Sequence, residues 1–314
     1  MLSKNGKERK ITSSHQTRTD KKSYLYAGLV AATILSSCDK NSSAPEKNPA
    51  PTPIVATPRI NPMDRKDDFC SDIKSEAFHQ GVISKIQQFQ SHLPELPTLF
   101  NWTVSQGKNI TFYDQAGLIK YHNTLGISEE KTRDITKDMG AWTIVNQNGN
   151  TMIYLSPLAL QNKSNFVEGL SNELLNAFLE TQLPKRLEKK QRIVDSNGGM
   201  NISPQDMDGI GIEFTKEFIS GIVADMIREK SEGIQRQYSL ETIRNNLLNG
   251  RFHETDEDGY AFGYFHRILV ENGFPPLAPQ NLLPFYNKML QITWGNISNN
   301  LSAMGKGLGL TIKA

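Results

Sequence analysis

The chain has 314 residues, with 35 Lys and Arg against 33 Asp and Glu and a net charge of +2. The charge is unevenly placed. Residues 1–37 hold seven of the basic side chains and two of the acidic ones, which leaves 28 basic and 31 acidic, a net of −3, from residue 38 onward. That balance excludes the clustered positive surface by which nucleic-acid binders meet phosphate, so nucleic acid is not an expected partner.

Lys21-Lys22 precede an apolar stretch from about Tyr24 to Leu35, which is shorter than the roughly 20 apolar residues a spanning helix needs. Leu35-Ser36-Ser37-Cys38 closes the stretch, and the polar Asp39 and Lys40 follow at once. Basic residues, a short apolar core and small residues at a cleavage point make a secretory signal. With a cysteine directly after the cut, the segment resembles a bacterial lipoprotein signal with its lipobox. The resemblance implies that residues 1–37 are removed and that acyl chains on Cys38 hold the protein to a membrane. It places the protein on the periplasmic or extracellular side. In proteins resembling enterobacterial lipoproteins, an Asp directly after the lipidated cysteine favours the inner membrane, and Asp39 fits that pattern. Cys70 is then left without a second structural cysteine, and a buried thiol is the expectation for it.

Residues 38–67 carry prolines at 45, 49, 51, 53, 58 and 62 and few large apolar side chains. Such a segment buries too little to fold and reads as an extended spacer. Residues 68–314 are long enough for one domain, with 68–200 and 201–314 as a possible division into subdomains. Phe69 to His92 shows helical spacing of apolar residues at Ile73, Phe78, Val82, Ile86 and Phe89, and Pro94 and Pro97 end it. Trp142–Val145 and Thr151–Leu155 flank the polar Asn146–Asn150 and predict a hairpin, with Ile110–Tyr113 as a third strand. A helix follows from about Asn165 to Leu183. The next starts at Ser203-Pro204, an N-cap Ser with Pro in the first helical position, and runs past Ile227. Leu240–Leu248, Tyr260–Asn272 and Pro279–Ile292 complete the helical set, and the Gly-rich end from Gly305 to Leu310 reads as loop or frayed tail. The fold class is therefore α+β and mainly helical, with a small antiparallel sheet or hairpin followed by a helical bundle.

One constellation hints at chemistry. Asn172-Glu173-Leu174-Leu175-Asn176 lies in the helix after the hairpin. With His in place of both Asn it would read His-Glu-Leu-Leu-His, in which two imidazoles one turn apart bind zinc and the Glu activates water. Lys216-Glu217-Phe218-Ile219-Ser220-Gly221 is similar to the second-helix segment that supplies a third, Glu ligand. The region from about Ile110 to Glu229 thus resembles a zincin metallopeptidase core, with Met152–Leu155 in the place of the edge strand that leads into the metal-binding helix. The resemblance implies a pseudoenzyme, because an Asn amide is a poor zinc ligand and only Glu217 of the expected three remains. Read from the residues alone, the same helix is amphipathic. Phe166, Val167, Leu170, Leu174 and Ala177 form its apolar face, and the Asn pair lies opposite, flanked by Leu175 and Leu179.

Other candidates are weaker. His253, Glu254 and His266 gather possible ligands for an active metal-dependent hydrolase, the one reading under which zinc is expected. The acidic residues between them miss the spacing of a calcium loop. The basic run Lys185–Arg192 reads as a solvated helix end, and Ser196-Asn197-Gly198-Gly199 lacks the spacing and Lys of a phosphate loop. No cofactor is expected under the main reading. It is a lipid-anchored envelope protein with a binding or scaffolding domain for a protein or peptide partner; a purely structural lipoprotein is a further alternative.

Overall fold

The computed structural model describes residues 69–107, 109–137, 140–145, 150–183, 202–252 and 259–313. Helices dominate, and a small sheet sits near the start of the described fold. After a short 3-10 turn at Ser75–Ala77 come α1 (Phe78–Gln88) and α2 (Glu95–Ser105). Then follow β1 (Ile110–Tyr113), α3 (Gln115–Thr124), α4 (Glu129–Thr136), β2 (Ala141–Val145) and β3 (Thr151–Leu155). The long helices α5 (Lys163–Gln182) and α6 (Pro204–Ser231) lead to β4 (Tyr238–Ser239), α7 (Leu240–Leu248), α8 (Tyr260–Glu271), α9 (Pro279–Leu308) and β5 (Ile312–Lys313). The mainly helical α+β expectation therefore holds.

Several details differ from what the sequence leads one to expect. The sheet is mixed rather than antiparallel: β2 and β3 form the expected hairpin pair, but β1 joins β3 in parallel, and β3 is the central strand instead of an edge. The first helix begins at Phe78 rather than Phe69, α3 and α4 are helices where the sequence suggests none, and so is α2 after Pro94. Pro94 is its N-cap and Pro97 lies in its first turn, where backbone N–H groups have no intrahelical acceptor to lose. A further difference is at Gly305–Leu310, where α9 continues to Leu308 instead of fraying. Gly309 turns left-handed at φ 69°, the Leu310 amide donates to the Gly305 carbonyl at 2.8 Å, and the end is a sealed Schellman cap.

Side chains alternate across the sheet and separate two apolar clusters. Phe112, Ala141, Ile153 and Leu155 face the main core with α5, whereas Trp142 and Tyr154 face Leu118 of α3. The main cluster draws on residues from Cys70 to Leu310, and Cys70 is buried within it. Helix α6 runs through this core and is buried nearly all round, including Glu213, Lys216, Glu217, Ser220 and Glu229. Phe214 packs edge-on against Phe218, Phe265 and Tyr286 at ring separations of 4.0, 5.1 and 5.6 Å, joining α6 to α8 and α9.

Candidate functional site

Helices α5 and α6 are positioned by their caps. The Asn162 side chain accepts from the Asn165 amide at 2.8 Å, and Ser203 accepts from the Asp206 amide at 3.1 Å ahead of Pro204. The pair then runs antiparallel in constant register. Lys163 Nζ donates to the Ser231 carbonyl at 3.1 Å, and Glu168 meets Arg228 at 3.1 Å. Further along, Asn176 Oδ1 accepts from Ser220 Oγ at 2.6 Å, and Glu180 meets Lys216 at 2.5 Å. These contacts make a polar seam along one edge of an otherwise apolar interface.

Asn176 lies on this seam, so this position opposite the apolar face of α5 meets another helix rather than solvent. Asn172 is half-buried and donates to Glu173 Oε1 at 3.3 Å. Glu173 is buried, and its backbone carbonyl accepts from Thr143 of β2 at 3.0 Å. Glu217 is buried on α6, one turn before Ser220, and its carboxylate lies 3.8 Å from the Arg267 guanidinium. Arg267 in turn stacks over Tyr264 at 4.2 Å and faces Glu271 at 3.7 Å.

Asn176 thus meets the helix that carries Glu217, through Ser220. The donor set does not fit zinc. The oxygen of Asn176 is taken by Ser220, the carboxylate of Glu217 faces a guanidinium, and among the described residues no imidazole is bonded to either. Among the described residues no group of three or more His, Cys, Asp or Glu side chains could hold a metal ion. Of the alternative ligand set, His266 lies on α8, where burial lowers its pKa and keeps the imidazole neutral. His253 and Glu254 lie outside the described residues, as do Cys38 with its lipobox, the spacer 38–67, the basic run and the Gly-Gly turn.

The strongest charge cluster of the seam was not singled out from sequence. Lys216, 3% exposed, is clamped by Glu180 and by Glu213 at 3.0 Å, and Glu213 is itself 1% exposed. Burial alone would lower the Lys216 pKa, but the Glu213 and Glu180 carboxylates override it and hold the ammonium above its ordinary value. The signal was present in the spacing: Glu213, Lys216 and Ser220 stand at i, i+3 and i+7 on one face of α6. A second cluster closes the far end of α6. There Arg228 holds Glu168, Asp225 and Glu232, while Glu229 binds Tyr238 and Arg236, and Lys230 reaches Glu95 on α2.

No protein-family model matches the chain, and no solved structure matches it. Among the described residues no helix is long and apolar enough to cross a membrane.

Proposed function

We propose that the chain is a lipid-anchored protein of the cell envelope, held by acyl chains on Cys38 and facing the periplasm or the exterior. Its folded region serves as a non-catalytic binding or scaffolding domain for a protein or peptide partner. Asp39 favours the inner membrane in a Gram-negative cell. The observation that carries the non-catalytic part is the closed α5–α6 seam. Where the metallopeptidase-like pattern would gather zinc ligands, Asn176 and Ser220 bond directly to each other at 2.6 Å and Lys216 fills the next turn between two carboxylates. The contact of Asn176 with the Glu217 helix supports descent of this helix pair from a zincin-like frame. Apolar core, small residues, cysteine and Pro-rich spacer, in that order, support the anchor.

The experiment is a metal analysis of the full chain purified without chelator, paired with a peptidase assay on an unfolded protein substrate. Sub-stoichiometric zinc and no cleavage are expected. Zinc retained at one equivalent, and lost on His253→Ala or His266→Ala, would overturn the non-catalytic reading in favour of a metal-dependent hydrolase.

A further inference from the structure

The exposed side of β1 is covered by an unusual cap. β1 is the outer strand of the order β1-β3-β2, so the Phe112 amide points away from the sheet and needs an acceptor from elsewhere. The acceptor is His79 Nδ1, at 3.2 Å, and the imidazole stacks on the Phe112 ring at 5.7 Å. An imidazole that accepts through Nδ1 is neutral and carries its proton on Nε2. His79 is the second residue of α1, at the positive end of the helix dipole, where a cationic ring is disfavoured. Just ahead of α1, the Ser75 hydroxyl donates to the Asp114 carboxylate at the end of β1, a second tie between the same two segments.

We propose that His79 is an acid-released latch that fastens α1 to the edge of the sheet. Protonation removes the acceptor, because both ring nitrogens then donate, and it places a cation beside the amino-terminal end of α1. Contact with Phe112 N–H turns from a hydrogen bond into a donor–donor repulsion, and α1 loosens from β1 while the α5–α6 pair stays packed. The charged groups on the elements packed against α1 are already engaged. Asp114 is held by Ser75 and the Gly117 amide, Glu95 of α2 by Lys230, and Lys85 of α1 itself by Asp72; Lys74 and Glu76 are exposed. Tyr113 of β1 titrates above its ordinary value because of burial and takes no part near neutrality. Burial also holds the His79 pKa below its ordinary value, so the latch stays closed at neutral pH and opens only under acid.

Hydrogen exchange followed by mass spectrometry on the full chain, at about pH 7.5 and about pH 5, tests the latch. After correction for the intrinsic pH dependence of exchange, the segments covering Phe78–Gln88 and Ile110–Tyr113 should lose protection by roughly tenfold at the lower pH, while α5 is unchanged. His79→Asn keeps an oxygen near the Nδ1 position and cannot titrate, so its protection should be flat with pH. Loss of protection equal in both proteins, or none in the wild type, would overturn the proposal. If His79→Asn does not fold, nuclear magnetic resonance of the wild type decides. The Phe112 amide must then titrate with the midpoint of the His79 ring, and a Phe112 amide indifferent to that midpoint refutes the latch.

Discussion

Lys216 is the residue on which the seam depends most heavily. Its ammonium pairs with Glu213, which is almost fully buried, and reaches Glu180 at the rim. Removing one member of a buried ion pair strands the other, which costs about 3–5 kcal/mol, whereas replacing the pair by apolar side chains of similar volume is often neutral or better. Lys216→Ala should therefore lower unfolding stability by about 3–5 kcal/mol in urea denaturation, and Lys216→Met with Glu213→Leu should recover most of that loss. Equal losses in the two variants would mean that the cluster does more than neutralise itself. Ser220 is less exposed to such damage, because its hydroxyl has a second acceptor in the Lys216 carbonyl at 2.8 Å.

At the scale of elements, α9 shows how a glycine reads in two ways. Gly295 has open space where a Cβ would stand, but a Cβ on Gly307 would lie 2.5 Å from the Trp102 ring, which itself packs on Phe178. Gly295→Ala should raise stability by about 0.5–1 kcal/mol through helix propensity. Gly307→Ala should lower it by about 1–3 kcal/mol through overpacking, and thermal unfolding of both variants gives the comparison. The Gly-rich end was misread in sequence for this reason: glycine there serves close approach and a Schellman cap, and neither is visible without the partner side chain. The Ser203-Pro204 start of α6 and the hairpin were legible because cap and turn chemistry are local. The parallel pairing of β1, by contrast, is set by contacts far apart in the chain. The Asn stripe was legible as a stripe, but its partner Ser220 was not. Only the antiparallel register of α5 and α6 brings Asn176 and Ser220 together across 44 positions.

For the molecule as a whole, the folded region and the proposed anchor are separate pieces of chemistry. The main core joins residues from Cys70 to Leu310. The anchor rests on residues 21–40, where charge, apolar length and the position of one cysteine coincide. Under the proposed function the spacer 38–67 joins the fold just ahead of α1, the helix held by the His79 latch, so acid would loosen the point of attachment first. The central claim is the anchor, and mass spectrometry of the amino-terminal peptide from the membrane fraction of the producing cell tests it most directly. The expected result is a chain that begins at Cys38 and carries the mass of a diacylglyceryl thioether. A mature chain in which residue 38 is internal or unmodified would contradict it.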